Sequence, residues 1–254
     1  MSAVSLGLSD KVAVVTGGSR GLGHAIAVAM AQEGAKVMIC GRKQENLDKA
    51  VEGFSKMGLK IASHAANVGD SGQVASLFAD VKDRFGELDI LVNNVGMNIF
   101  TPSVAEMDEK LWDKIIETNL KGTFLTSCEG IKIMKEGGGG KIINISSVAA
   151  RKSAQGMGGY CVAKAGLEML TKVLAAENAK DRINVNAVAP GMVKTPFSQP
   201  FWSNEKMLKQ ITATVPMGRI AETDDVVGAV LFLSSGLSDY ITGEVITVDG
   251  GSMA

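Results

Sequence analysis

Val12-Ala13-Val14-Val15-Thr16-Gly17-Gly18-Ser19-Arg20-Gly21-Leu22-Gly23 reads as a short strand, a glycine-rich turn and the start of a helix that continues from His24. The strand half is continuously apolar, as expected of a strand covered on both faces. Glycines in the turn permit unusual dihedrals and let an anion approach the backbone closely. A helix that opens directly after such a turn presents free backbone N–H groups and the positive end of its dipole, a cradle for a pyrophosphate. The spacing is Thr-Gly-x-x-x-Gly-x-Gly rather than G-x-G-x-x-G, so the reading rests on the strand–turn–helix context. It predicts a dinucleotide site built on Gly17, Ser19, Arg20, Gly21, Leu22 and Gly23.

Beyond this unit, β-branched runs alternate with helical stretches. The strand candidates are Val12–Thr16, Lys36–Cys40, Lys60–Ala65, Ile90–Asn93, Lys141–Ser146, Arg182–Val188 and Glu244–Val248. Between them lie Gly21–Glu33, Gln44–Lys56, Ser71–Phe85, Met107–Met134, Gly158–Ala179 and Asp224–Ser234. Such alternation predicts βαβ units and one doubly wound parallel α/β sheet of about seven strands, helices on both faces. At 254 residues the chain has room for one large domain, 1–254, and shows no linker or repeat.

A net charge of -1, with Lys and Arg scattered among Asp and Glu, argues against a nucleic-acid partner. The longest apolar runs are too short to span a bilayer, and Met1–Asp10 lacks the features of a signal peptide. Cys40, Cys128 and Cys161 form no C-x-x-C and suit a reducing compartment, so a cytoplasmic location is expected. His24 and His64 have no acidic residue at ligand spacing, and no metal site is expected.

The end of the second strand bears on which dinucleotide binds. An NAD site usually carries Asp or Glu there to hold the ribose 2′-hydroxyl. Here the stretch is Cys40-Gly41-Arg42-Lys43, without a carboxylate before Glu45. A guanidinium can bind a 2′-phosphate bidentately, and Arg20 could close on it from the glycine turn. The reading favours NADP(H).

Tyr160-Cys161-Val162-Ala163-Lys164 places a phenol and an ammonium one helical turn apart on one face. A phenol titrates near ~10, so ionising it at neutral pH needs about 4 kcal/mol. One ammonium at about 4 Å in an effective dielectric near 20 supplies roughly that much. The pair is a candidate tuned acid/base for a carbonyl or an alcohol.

With these motifs the chain resembles the short-chain dehydrogenase/reductase superfamily over nearly its whole length. The resemblance is carried by Thr16–Gly23, Asn93-Asn94-Val95-Gly96, Asn119, Ser146-Ser147, Tyr160-x-x-x-Lys164 and Pro190-Gly191, in that order. Within the superfamily the texture is similar to NADP(H)-dependent carbonyl and oxoacyl-thioester reductases. The resemblance implies Tyr160 as acid/base, Lys164 lowering its pKa and holding the nicotinamide ribose, and Ser147 orienting the carbonyl. It implies that Asn119 holds a water of a proton relay to Lys164. It implies cofactor contacts from Asn67, Val68, Asn94, Gly96, Pro190, Gly191, Val193 and Thr195, with Asn93 shaping the wall. Two positions depart from the pattern: Val95 stands where alanine is usual, and Asn67 where aspartate is.

Pro190 to Pro216 is the longest irregular stretch and holds Met192, Phe197, Phe201, Trp202 and Met207. Lying beyond the strand ends, it is expected to be a lid over a medium-sized apolar ketone or secondary alcohol. Arg151 and Lys152 could hold an anionic tail, or could be solvated loop charges. The resemblance also implies a homo-oligomer, dimer or tetramer, and the long helices Met107–Met134 and Gly158–Ala179 carry outer apolar groups such as Leu167 and Met169 that suit one. The rival functions are an NAD-dependent alcohol dehydrogenase of the same fold and a non-catalytic dinucleotide sensor.

Overall fold

The computed structural model describes residues 5–254. Seven strands form one sheet: β1 (Val12–Thr16), β2 (Lys36–Gly41), β3 (Ile61–Ala65), β4 (Ile90–Asn93), β5 (Gly140–Ile145), β6 (Ile183–Pro190) and β7 (Val245–Val248). Their order is β3-β2-β1-β4-β5-β6-β7, and every pairing is parallel. The bounds of β1 and β4 are those read from the sequence, and the other five strands differ from that reading by one or two residues at their ends. The order reverses between β1 and β4, the point where open parallel sheets bind ligands at the carboxyl ends of their strands.

Period-two alternation within β1 explains why both faces are covered. Ala13 and Val15 join the core formed with α1 (Gly21–Gln32), α2 (Gln44–Lys56) and the helix Thr223–Ser234. Val12 and Val14 point the other way, into the core shared with α3 (Ser71–Phe85) and the helices Gly122–Gly137 and Gly158–Asn178.

Two expectations about helices need correction. The stretch Met107–Met134 is helical without a break from Glu109 to Gly137 but changes type on the way. It is α4 (Glu109–Ile116), a π-helical turn over Glu117–Lys121, and α5 (Gly122–Gly137). The stretch 190–216 is not irregular throughout: it contains α7 (Gln199–Trp202) and α8 (Glu205–Thr212), after α6 (Gly158–Asn178) and before α9 (Thr223–Ser234).

Polar residues hold the interior together at β4 and β5. Asn93 Nδ2 donates to Ser127 Oγ and to Asn144 Oδ1, Thr126 donates to Asn93 Oδ1, and Asn144 donates to Thr171. Asn93 is thus buried between β5 and α5, with every polar atom of its side chain engaged. Its donors and acceptor are all matched, which is what a buried amide requires. The histidines do ordinary work, His24 stacking on Phe54 and His64 bonding Asp80 at 2.9 Å.

Candidate active site

The glycine turn is fastened to both neighbouring strands. Gly17 and Gly18 donate their N–H groups to Cys40 O at 2.8 and 3.3 Å, which sets the turn against the end of β2. Asn94, at the end of β4, donates from its amide to Thr16 O at 2.9 Å and to Gly17 O at 3.4 Å. Gly17 has φ +68, and a methyl group there would lie 2.9 Å from that same Asn94 amide. Only glycine suits both the dihedral and the space. Asn94 therefore works as a strut whose amide protons are committed to the turn.

Helix α1 starts at this turn with no side-chain cap and no acidic residue in its first turn. Its leading N–H groups and dipole are thus left for an anion. Leu22 and Gly23 lie in that first turn, and Thr195 crosses it: a methyl at Gly21 would sit 3.5 Å from Thr195 Cβ. Val193 is buried and bridges Ala221, and Gly191 donates to Val248 O at 2.9 Å, so the segment after Pro190 is anchored at its base. Arg20 and Arg42 are both exposed, and neither takes part in an ion pair among the described residues. A methyl at Gly41 would be 3.8 Å from Ser19 Oγ, which shows how closely the β2 end approaches the turn. On the next strand over, Asn67 Oδ1 accepts from Gly69 N–H at 3.3 Å, and Val68 is buried against Gly122.

The second cluster forms at the end of β5. Ser147 follows the strand and caps a short 3-10 turn, Val148–Ala150, accepting from Ala149 N–H at 3.2 Å. Its hydroxyl also neighbours the Tyr160 phenol and favours the ionised form of that phenol. Tyr160 and Lys164 lie on consecutive turns of α6 and are 7% and 3% exposed. Lys164 Nζ donates to Ile145 O at 2.7 Å and lies 5.6 Å from the Tyr160 ring centroid.

This electrostatic arrangement differs from the tuned pair read from spacing. Burial pushes the phenol up to about 12, opposed by the neighbouring Ser147 hydroxyl, and pushes Lys164 down to about 8. Helical spacing places the two groups near each other but says nothing of the backbone carbonyl that takes the ammonium, nor of their shared burial. Desolvation disfavours both charged forms.

Asn119 sits in the π-helical turn and is fully buried. Its Nδ2 donates to Met97 O and Ile115 O, both at 2.8 Å, and its Oδ1 accepts from Met97 N–H at 3.1 Å. Both amide protons and one lone pair of Oδ1 are thus engaged with the backbone, which fixes the side chain in place. A methyl at Gly96 would lie 3.3 Å from Asn119 Oδ1 and 3.7 Å from Lys164 Nζ, so the three positions meet at one point.

Apolar groups surround the opening. Phe197 is 46% exposed with its ring 6.1 Å from that of Tyr160, and Trp202 Nε1 donates to Thr195 O at 3.2 Å. The sequence reading missed Phe100, which crosses over buried Gly156 while Thr101 N–H donates to Gly156 O at 3.0 Å. An aromatic residue four positions beyond Gly96 was the only available signal. Arg151 is not free for an anionic tail: it donates to Glu168 at 2.9 Å and to Thr247 at 3.1 Å. Lys152 is exposed.

Comparison with known proteins agrees with this geometry. A family model described as enoyl-(acyl carrier protein) reductase matches residues 17–253. Dehydrogenase/reductase SDR family member 4 of Bos taurus is 38% identical over 97% of this chain and 88% of that protein. A 3alpha-hydroxysteroid dehydrogenase of Mediterraneibacter gnavus is 39% identical over 96% of this chain and 98% of that protein. The crystal structure of a short-chain type dehydrogenase/reductase from Mycobacterium marinum superposes with a TM-score of 0.93 at 30% identity, covering 98% of each chain. The chain belongs to the short-chain dehydrogenase/reductase superfamily.

Proposed function

We propose that this superfamily member, an oxidoreductase, transfers hydride between NADP(H) and a medium-sized apolar ketone or secondary alcohol, with Tyr160 as proton donor and acceptor. The observation that carries the reading is the meeting of Ser147, Tyr160 and Lys164 at the end of β5, next to the point where strand order reverses. The nicotinamide supplies or accepts the hydride when bound. Gly17, Ser19, Arg20, Gly21, Leu22 and Gly23 would hold its pyrophosphate, Asn67 and Val68 its adenine, and Gly96, Pro190, Gly191, Val193, Thr195 and Lys164 its nicotinamide half.

The chain's own groups then act on the substrate oxygen. Ser147 and Tyr160 donate hydrogen bonds to it, and those bonds strengthen as negative charge accumulates there. A phenol held near 12 is protonated at pH 7, the form that carbonyl reduction needs. Lys164, fixed by Ile145 O, returns the proton to Tyr160 from the buried side. Asn119, whose Oδ1 meets Lys164 Nζ around Gly96, would hold the water of a proton relay to Lys164. The preference for NADP(H) is supported by exposed Arg20 and Arg42, next in sequence to Ser19 and Gly41 where the turn and the β2 end approach each other, and by the missing carboxylate at the end of β2. The segment 190–216 serves as a lid whose Phe197 and Trp202 favour apolar substrates. The three free cysteines and the balanced charge are consistent with a cytoplasmic dimer or tetramer.

Turnover on a panel of ketones and oxoacyl thioesters with NADPH and NADH tests the reading, using wild type, Tyr160→Phe and Arg42→Ala. Tyr160→Phe keeps the ring and should lose about 10²- to 10⁴-fold in kcat with cofactor affinity retained. Arg42→Ala should reduce the preference for NADPH, and wild-type use of NADH equal to NADPH would refute the cofactor assignment. Near-normal turnover by Tyr160→Phe would refute the acid/base role and reopen the dinucleotide-sensor reading.

A further inference from the structure

Glu168 sits one turn beyond Lys164 on α6, so Tyr160, Lys164 and Glu168 follow each other at four-residue intervals. Its side chain is only 13% exposed, and both carboxylate oxygens are used. Oε1 accepts from the hydroxyl of buried Ser146 at 3.1 Å, and Oε2 accepts from Arg151 Nε at 2.9 Å. Ser146 and Arg151 are the two ends of the segment that contains Ser147 and the 3-10 turn Val148–Ala150. One carboxylate therefore closes this segment at both ends and ties it to the helix bearing Tyr160. Arg151 continues the chain of bonds to β7, donating from Nη1 to Thr247 Oγ1 at 3.1 Å.

We infer that Glu168 is a positioning residue, which with Ser146 and Arg151 forms a clamp that sets the Ser147 hydroxyl relative to the Tyr160 phenol. The inference rests on the proposed function only for its consequence in turnover. A hydroxyl that must meet a developing oxyanion tolerates little displacement, and about 1 Å of misplacement can cost 10²-fold in rate. Carboxylate and guanidinium together restrict the segment more than Ser147's own bond to Ala149 N–H, which is internal to the turn. Ser146 is buried and Glu168 nearly so, which makes the serine-side bond the firmer of the two, whereas Arg151 is 40% exposed and contributes less.

The test compares wild type with Glu168→Ala, Glu168→Gln, Arg151→Ala and the Glu168→Ala/Arg151→Ala double variant. Three quantities are read: amide hydrogen exchange across residues 146–152, NADPH affinity by fluorescence titration, and kcat on the best ketone. Glu168→Ala is expected to raise exchange in that segment about tenfold or more and lower kcat roughly 10- to 100-fold, with NADPH affinity within about twofold. Glu168→Gln should restore part of kcat by keeping the Ser146 bond. The double variant should be no worse than Glu168→Ala alone, since both changes break one unit. Unchanged exchange in 146–152, a uniform rise across the whole chain, or a loosened segment with unaltered kcat would each overturn the inference. Should Glu168→Ala fail to fold, Arg151→Ala, a change at an exposed residue, decides by the same three quantities. Exchange needs no substrate, so the clamp is judged even if Tyr160→Phe shows the catalytic reading to be wrong.

Discussion

Lys164 occupies a place that no ammonium would choose for stability. It is buried, receives one backbone carbonyl, and is pushed down to about 8 from the usual lysine range by desolvation. Between pH 8 and 10.5 the unfolded chain holds a proton that the folded chain has released. Stability contributed through this residue therefore rises with pH across that window, and the burial cost is fully present below it. A gap of this size corresponds to about 3 kcal/mol at neutral pH, part of it offset by the bond to Ile145 O. Lys164→Met keeps the length and drops the charge. It should raise the melting temperature at pH 7 by several degrees while removing turnover, and its advantage should shrink by pH 10. Tyr160, pushed up to about 12, stays protonated in the folded protein across this window, so the difference between the two proteins reports on Lys164. Paired melts at pH 7, 8.5 and 10 check this. A Lys164→Met protein less stable than wild type at pH 7 would mean that the Ile145 bond dominates.

At the scale of elements, the middle helix shows what a sequence pattern conveys and what it leaves out. The apolar spacing of 107–134 reads as continuous helix, because a π-helical turn inserts one residue without any composition of its own. The turn places Asn119 where its amide reaches back to Ile115 and across to Met97, joining α4 to the loop after β4. Glycine turn, strand run and Tyr160-Lys164 spacing were legible because each depends on local geometry. The binding of Lys164 to Ile145 O, the Glu168 clamp and the path of Phe100 over Gly156 join distant segments, so no local pattern records them. Leu167 illustrates the same limit: read as an outer group, it is wholly buried, while Met169 two residues on is exposed. Replacing Asn119 tests the π-helical turn directly. Asn119→Leu removes three hydrogen bonds to the backbone, one of them buried, and should cost roughly 2 kcal/mol or more in urea unfolding. Lost turnover with unfolding free energy unchanged would instead indicate a purely chemical role for the side chain.

For the molecule as a whole, the parallel sheet buries both faces of its central strands, so what remains unsatisfied lies on the outer faces of helices. On α6, Val162, Met169 and Val173 are all exposed and share one face, at intervals of seven and four residues. Phe124 on α5 is also 46% exposed. Scattered apolar groups need no explanation, but an aligned row on a long helix is the pattern of an interface between protein chains. Among the described residues no helix is long and apolar enough to cross a membrane. The proposed partner is a second copy of this chain, meeting it through the same patch as a two-fold contact requires. Light scattering at micromolar concentration should return two or four times 26.5 kDa for wild type. The paired change Val162→Glu and Met169→Glu sets like charges against each other across such a contact and should shift the mass toward 26.5 kDa while the far-UV spectrum is retained. A wild-type mass of one chain would end the assembly proposal. An oligomer that survives both substitutions would move the interface to another face, because four glutamates facing one another in a buried two-fold contact would not be tolerated.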